Sequence, residues 1–364
     1  SITYTNTSGN TWTAAYTANA SDTSGAVSFS IAFSDTAGNA GTAVTATSDS
    51  TSVTASLDTI APTLSSVSIV TNNAITSVAN NGDVVTLTLT ASEAISTPVV
   101  TFKSGGAAIT DTSVTYLNTS GNTWTAAYTA NASDTSGAVT FSIAFADTAG
   151  NAGTAVTSGT GSVTFDGTAP TMAITASEVS DGDTSNDGTL SLTFTSSEAT
   201  TDFAADDITV SGGALSSFSA TSSTVYTATF TPSGAGATTI DVASSKFTDA
   251  AGNNNTAATQ FNWTYDGTAP TLSSVSIASN NSTNTQAVAD DVVTLTFTAS
   301  EAIATPVVTF QSGGAAIADT SITYTNTSGN TWTATYTVNA SDTAGAVTYS
   351  IAFSDSAGNA GTAV

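Results

Sequence analysis

The residues with the clearest capacity for chemistry lie in an acidic loop that occurs four times in the chain. The loop reads DTAGNAGT from Asp147 to Thr154, and its relatives begin at Asp35, Asp249 and Asp355. Each copy starts with Asp, reaches an A-G-N triplet, and follows a run of residues typical of a β-strand. Carboxylate and amide oxygens cap tight turns and also bind hard cations such as Ca²⁺, while Gly permits a positive φ. The loop therefore has two interpretations, a capped turn or part of a calcium site.

The composition of the chain favours a cation as its partner. Its 364 residues include 27 Asp and Glu but only two basic residues, Lys103 and Lys246, which gives a formal net charge of −25. Such a surface repels nucleic acid and attracts divalent cations. The absence of Cys excludes disulfides and thiolate metal sites. No apolar run approaches the ~18 residues of a membrane-spanning helix, so we expect no membrane span in this segment.

The same composition argues against catalysis. Without His, Cys or Arg, the common nucleophile–base pairs and phosphate clamps are absent. Only carboxylate-pair chemistry such as glycoside hydrolysis remains for an enzyme, and we expect none.

An internal repeat organises the chain around these loops. A-P-T tripeptides place Pro62, Pro170 and Pro270 at spacings of 108 and 100 residues. We predict the second half of a domain at 1–57, complete domains at 58–165 and 166–265, the latter of a divergent type, and a domain without its last strand at 266–364. Residues 1–44 match residues 321–364 at 38 of 44 positions. We interpret the chain as a segment of a longer repetitive protein; the alternative is a subunit whose incomplete ends are completed by neighbouring copies through strand addition.

Within residues 58–165, apolar side chains alternate with Thr and Ser at a period of two, as in Val85-Leu87-Leu89. This pattern is typical of antiparallel strands with one apolar face, and no amphipathic helix is evident. Strands are predicted at 63–70, 84–91, 98–103, 112–118, 122–130, 138–146 and 155–165. The repeat length is that of an immunoglobulin domain, so the predicted fold is all-β, with tandem immunoglobulin-like antiparallel β-sandwiches arranged as a rod.

An alternating strand order brings the acidic residues to common poles. In the second repeat, the entry linker, the turn after the second strand and the loop after the sixth strand share one pole. The metal ligands predicted in these linkers and loops are Asp35, Asn39, Asp58, Glu93, Asp147, Asn151, Asp166, Glu198, Asp249, Asn253, Asp266, Glu301, Asp355 and Asn359. The preceding domain is expected to add turn carboxylates to the same junction, from Asp22, Asp134, Asp181 and Asp183.

Recurrence of three carboxylates at one pole, in a chain otherwise poor in charge, favours calcium at one or more junctions over turn chemistry alone. Ca²⁺ prefers about 6–8 oxygen ligands, and a filled site would stiffen the junction.

The A-P-T entry, the S-E-A turn and the D-x-A-G-N loop resemble the tandem bacterial immunoglobulin-like domains of giant repetitive surface proteins and adhesins. The segments DDITVSGG, YTATFTPSG and FTDAAGN of the third repeat are the most similar. The resemblance implies a β-sandwich stalk, an extracellular location at the cell surface, and calcium bound between domains. The expected function is a non-enzymatic stalk whose partners are neighbouring repeats. The alternative is a subunit that assembles with other copies into an extracellular filament, sheath or surface layer.

Overall fold

A computed structural model describes all 364 residues of the chain. It divides into two compact units, Ser1–Thr168 and Ala169–Val364. Both consist of β-strands joined by turns, and the one helical element is the 3-10 turn Ala205–Asp207. No helix is long and apolar enough to cross a membrane. The predicted all-β class is confirmed.

The strands are numbered in chain order. Those of the first unit are β1 (Ile2–Ser8), β2 (Thr11–Tyr16), β3 (Gly25–Ala26), β4 (Thr54–Ala55), β5 (Leu64–Thr71), β6 (Val78–Ala79), β7 (Val84–Ala91), β8 (Val99–Ser104), β9 (Ala107–Ala108), β10 (Thr115–Ser120), β11 (Thr123–Thr129), β12 (Gly137–Ala144) and β13 (Thr164–Phe165). Those of the second unit are β14 (Met172–Ala176), β15 (Thr184–Ser185), β16 (Leu190–Ser196), β17 (Ile208–Ser211), β18 (Gly213–Ala220), β19 (Val225–Pro232), β20 (Gly236–Val242), β21 (Phe261–Tyr265), β22 (Leu272–Ser279), β23 (Val292–Ala299), β24 (Val307–Ser312), β25 (Ala315–Ala316), β26 (Thr323–Ser328), β27 (Thr331–Thr337) and β28 (Val347–Ala352).

The second repeat, residues 58–165, forms two sheets around one apolar core. One sheet has the order β10-β11-β7-β5 and the other the order β6-β13-β12-β8-β9. Strand β7 shows how the sequence determines this arrangement. Its Val85, Leu87 and Leu89 are buried, while the Thr residues between them are only half-buried, because successive side chains of a strand point to opposite faces.

The last predicted strand of this repeat, 155–165, is wrong over most of its length. Only Thr164–Phe165 is a regular strand. The preceding residues run close to β5, where the Thr160 N–H donates to the Val67 carbonyl at 2.8 Å. A Cβ on Gly159 would lie 2.6 Å from that carbonyl oxygen, and Gly161 has a φ of +78°. These two glycines let the segment pass from β5 to β12, which interrupts the regular ladder.

The third repeat, residues 166–265, has the same plan. Its sheets have the orders β14-β16-β19-β18 and β15-β21-β20-β17. Trp263 on the last strand is 1% exposed, and its indole N–H donates to the Ser185 hydroxyl at 3.0 Å. The indole N–H of this buried Trp is therefore paired with a hydroxyl oxygen.

The fourth repeat, residues 266–364, has two strands fewer than the second, because β6 and β13 have no counterparts in it. Its first sheet has the order β22-β23-β27-β26, which matches that of the second repeat, while its second sheet contains only β25-β24-β28. The core still forms, with Leu295, Phe297 and Ile351 buried.

The first segment, residues 1–57, forms two small sheets, β1-β2 and β3-β4. Its apolar side chains are exposed although nearly the same sequence is buried in the fourth repeat. Ile31 is 52% exposed and Phe33 is 55% exposed, whereas their counterparts Ile351 and Phe353 are 0% and 6% exposed. Residues 1–57 thus present a core face that no other sheet covers.

Candidate metal centre

The D-x-A-G-N loop is a tight turn closed by its own Asp and Asn. In the second repeat, the Asp147 N–H donates to the Asn151 carbonyl at 3.1 Å. The Asn151 N–H and side-chain Nδ2 donate to the two oxygens of the Asp147 carboxylate at 2.8 and 2.7 Å. Gly150 has a φ of +96°, which explains the Gly in the motif. The capped-turn interpretation therefore accounts for the conformation of the loop.

The same Asp–Asn clasp closes the other three loops. The side-chain Nδ2 donates to the Asp carboxylate at 2.8 Å in Asn39–Asp35, 3.0 Å in Asn253–Asp249 and 2.9 Å in Asn359–Asp355.

A second loop is paired to this turn and carries the Glu of the S-E-A motif. Ile95 forms an isolated antiparallel bridge with Asp147, and the Ser96 N–H donates to the Ala146 carbonyl at 2.9 Å. On the other side, the Ser92 N–H donates to the Thr63 carbonyl at 2.8 Å. Glu93 is therefore held between the acidic loop and the start of β5.

The linker completes the cluster through its Asp. Besides bonding Asp147, the Asn151 Nδ2 donates to the Asp58 carbonyl at 2.9 Å, which fastens the linker to the loop. The Asp58 carboxylate in turn accepts the Ile60 N–H at 3.0 Å. One carboxylate oxygen from each of Asp58, Glu93 and Asp147 lies within 4.8 Å of the others. We call this set the Asp58 cluster.

The fourth repeat reproduces this geometry. Asp266, Glu301 and Asp355 also bring one carboxylate oxygen each within 4.8 Å of the others, and we call them the Asp266 cluster. The Asn359 Nδ2 donates to the Asp266 carbonyl at 2.8 Å, and Ile303 bridges to Asp355. Two repeats with different linkers therefore build the same acidic site.

The equivalent residues of the third repeat are divided between the two compact units. Asp166 lies in the first unit, where its carboxylate accepts the Thr168 N–H at 3.0 Å. Glu198 and Asp249 lie in the second unit, where Thr200 bridges to Asp249 as Ile95 does to Asp147.

The glutamates of both clusters have pKa values above their ordinary value. Burial, followed by the charges of Asp58 and Asp147, raises the pKa of Glu93 above its ordinary value. Burial, followed by the charges of Asp266 and Asp355, raises the pKa of Glu301. For Asp147, burial alone would raise the pKa, but hydrogen bonds from Asn151, Gly150 and Ala149 outweigh it and lower the pKa. Each cluster thus concentrates negative charge that a cation would neutralise.

The turn carboxylates predicted to join these junctions accept hydrogen bonds within their own repeats. Asp134 is buried, and its carboxylate accepts the N–H and hydroxyl of Thr110 at 2.7 and 2.8 Å and the Asn131 N–H at 2.9 Å. Neither of the two clusters defined above includes Asp22, Asp134, Asp181 or Asp183. Asp22, Asp181 and Asp183 accept backbone N–H groups of Asn19, Asn262 and Ser180.

Asn151 and Asn359 reach the clusters but present nitrogen to them. In both, Nδ2 donates to a cluster carboxylate and to the linker carbonyl. Their role in this structure is that of a clasp between loop and linker, which sequence reasoning missed. The sequence does indicate part of this role, because Asn follows Asp by four residues in all four loops. That spacing lets the Asn side chain fold back across one turn to the Asp carboxylate.

Comparison with known families supports the sandwich topology. Residues 166–265 match the bacterial Ig-like domain family. The third repeat is therefore similar in sequence to bacterial Ig-like domains. The resemblance found in the motifs of the third repeat is thereby confirmed.

Among solved structures, the chain is similar to InvD of Yersinia pseudotuberculosis, with 16% identity over 82% of this chain and 95% of that one, at a TM-score of 0.35. It is also similar to the I67–I69 fragment of titin, with 11% identity over 83% and 98% of the two chains, at a TM-score of 0.29. A comparison with curated proteins finds no match.

Proposed function

We propose that this chain is a structural, non-enzymatic segment of a large extracellular surface protein or adhesin, in which calcium stiffens the connections between Ig-like repeats. The observation that carries the proposal is the position of the clusters. Each joins the linker that enters a repeat to two loops of that repeat, through Asp58 in one case and Asp266 in the other. A cation held there would fix the direction in which the linker enters the domain.

The donor set suits calcium. Three carboxylates offer up to six oxygens, and water molecules would supply the remainder of the about 6–8 ligands that Ca²⁺ prefers. The chain has only two basic residues, Lys103 and Lys246, so carboxylates this close together depend on an external cation for neutralisation. For an extracellular site filled at about 10–100 times its Kd, binding adds about 1.4–2.7 kcal/mol of stability.

The extracellular location and adhesin role are part of the same proposal. A net charge of −25 keeps a long repetitive surface soluble, and the absence of Cys makes its folding independent of the redox environment. The identified bacterial Ig-like domain belongs to a class usually found in surface proteins.

Calorimetric titration with Ca²⁺ tests the proposal. The variant Glu93→Gln/Glu301→Gln removes one carboxylate from each cluster and should lose two binding equivalents relative to the parent chain. The matched control Asp206→Asn/Asp290→Asn removes two exposed carboxylates outside the clusters and should bind as the parent does. Small-angle scattering and thermal melts with calcium, and again after chelation, should show a longer and more stable chain with the metal. Equal calcium binding by both double variants would refute the assignment.

A second candidate, a subunit of an extracellular filament, sheath or surface layer, is favoured by one observation. Residues 1–57 expose side chains of core type, including Trp12 at 65% and Phe33 at 55%. Such a face buries apolar area when another segment or another copy packs on it. Sedimentation at increasing concentration should then show association, whereas the first candidate alone predicts a monomer.

A further inference from the structure

One turn of the third repeat, between β15 and β16, contacts the fourth repeat within the same compact unit. The contact is made by the peptide unit that joins Ser185 to Asn186. The Ser185 carbonyl accepts the Asp266 N–H at 3.0 Å, and the Asn186 N–H donates to the Ala357 carbonyl at 3.1 Å. Asp266 lies in the linker that enters the fourth repeat, and Ala357 lies in the acidic loop of that repeat. A single peptide unit of the third repeat therefore joins two separate segments of the fourth.

Side chains pack around the same contact. Ala357 is only 7% exposed although it lies in a loop. Its neighbour Gly358 has a φ of +97°, and a Cβ there would lie 3.5 Å from Oδ1 of Asn186, so the Asn186 side chain rests against the loop. A larger side chain at position 357 would therefore have little space.

The turn is also anchored to the core of its own repeat. The indole N–H of the buried Trp263 donates to the Ser185 hydroxyl at 3.0 Å, and that hydroxyl donates to the Asp187 carboxylate at 2.8 Å. The Thr264 N–H on the last strand donates to the Asp183 carbonyl at 3.0 Å. Because the turn is fixed to the last strand of the third repeat, its bonds to the fourth repeat restrain one repeat relative to the other.

The sequence of the third repeat leaves this amide available. Asn186 corresponds to Asn80, since each follows the short strand that pairs in parallel with the last strand of its repeat. In the second repeat the turn closes on itself, and the Asn80 N–H donates to the Asp83 carboxylate at 2.8 Å. The fourth repeat closes in the same way, from the Val288 N–H to the Asp291 carboxylate at 2.8 Å. A threonine stands three residues after Asn186, so no carboxylate competes there for its amide.

We infer that the third and fourth repeats are locked together by this direct contact, which requires no metal ion. The two bonds of one peptide unit hold the linker and the loop at once, so rotation about the linker would break at least one of them. The same bonds restrain the segments that carry Asp266 and Asp355, and so set the spacing of two carboxylates in the Asp266 cluster. The inference concerns the junction itself and holds whether or not that cluster binds calcium.

Amide hydrogen exchange of the full chain in the presence of a chelator tests the lock. The Asn186 amide should be protected without calcium. Ala357→Leu should accelerate its exchange about tenfold, the size expected for the loss of a main-chain hydrogen bond. Ser356→Leu is the matched control, because Ser356 is exposed in the same loop, and it should leave the rate unchanged. The Asp355 N–H, which donates to the Asn359 carbonyl at 3.1 Å, should stay protected in both variants if the loop remains folded.

Two results of this exchange experiment would overturn the inference. One is an Asn186 amide that exchanges, in the parent chain with chelator, as fast as an amide of an unfolded peptide. The other is an equal rate of exchange at Asn186 in the two loop variants.

Distances between spin labels supply a second measurement, which needs no variant in the contact itself. The chain has no Cys, so Thr209→Cys/Thr309→Cys places one label at an exposed position of β17 and one at an exposed position of β24. With chelator, the distance distribution should be as narrow as with calcium. A distribution that is broad until calcium is added would overturn the lock and leave the proposed function standing. A narrow distribution in a chain that binds no calcium would support the lock and refute calcium stiffening.

Discussion

Replacing Gly153 by Ala tests how tightly the acidic loop closes onto its repeat. A Cβ at this position would lie 2.3 Å from Cε2 of Phe145 and 2.8 Å from the Pro62 carbonyl oxygen. Phe145 is 7% exposed, so its ring has little space in which to move. The Gly153 N–H also donates to the Phe145 carbonyl at 2.9 Å, which holds the main chain in place. Overpacking typically costs about 1–3 kcal/mol, and contact with a main-chain atom places this case in the upper half of that range, at about 2–3 kcal/mol.

Amide hydrogen exchange on the full chain is the suitable assay, because a protein of several domains does not unfold in a single two-state step. A loss of about 2–3 kcal/mol should accelerate exchange of the most protected amides of β7 and β12 about 30- to 150-fold. Gly188→Ala is the matched control. No heavy atom lies within 4 Å of a Cβ there, and its φ is outside the left-handed region, so it should be neutral or stabilising by about 0.4–1 kcal/mol. The two variants are compared by the change in amide exchange rate that each causes in its own repeat. If the change caused by Gly153→Ala were no larger than that caused by Gly188→Ala, the loop would not be closed tightly onto Phe145 and Pro62.

Two further predictions concern the clusters. The pKa of Glu93 is raised in the folded chain above the ordinary Glu value of 4.5. The metal-free second repeat should therefore lose stability as the pH rises from 4.5 through that raised pKa. Calcium binding in the same pH interval should release protons. Calorimetry in buffers of different ionisation enthalpy measures that release, which Glu93→Gln should abolish at the Asp58 cluster. Asn151→Ala removes the donor shared by Asp147 and the Asp58 carbonyl, and should cost about 1–3 kcal/mol locally and expose the linker. Cleavage of residues 58–62 by a non-specific protease should accelerate, and an unchanged rate would contradict the clasp.

The sequence predicted those features that follow from strand periodicity. Strand β7 begins and ends at the predicted residues, 84 and 91, because its alternation of Val and Leu with Thr is uninterrupted. The same alternating direction placed Asp58, Glu93 and Asp147 at one pole, where the structure brings their carboxylates within 4.8 Å. Whether they bind calcium remains a prediction that the proposed titration tests.

Features that depend on close contact between distant segments were not predictable in this way. The segment before β13 departs from a regular strand because Gly159 and Gly161 approach β5, which periodicity alone does not reveal. Asp134 lies in a turn, and its carboxylate accepts hydrogen bonds from Thr110, 24 residues away. Its role follows from the packing of a neighbouring loop, which a local pattern does not encode.

The near-identical sequences 1–44 and 321–364 separate local from tertiary determinants of structure. Both form the same hairpin, with a bulge between Asn6 and Ser8 in one and between Asn326 and Ser328 in the other. In each, the bulge Asn donates to the carbonyl of a Gly at positive φ, so hairpin and register depend on local sequence alone.

Burial in these two segments depends on what precedes them in the fourth repeat. Trp332 is half-buried against β23, whereas Trp12 is 65% exposed because no strand equivalent to β23 accompanies it. A two-stranded hairpin is only marginally stable by itself, and no second sheet covers the apolar face of this one. Packing of a neighbouring segment or a second copy on that face would therefore stabilise this part of the chain most. A chain lacking residues 1–57 should therefore bind markedly less of an apolar-surface dye than the full chain, while the protection of β7 and β23 against hydrogen exchange stays unchanged. Equal dye binding would mean that the exposed face is covered in solution.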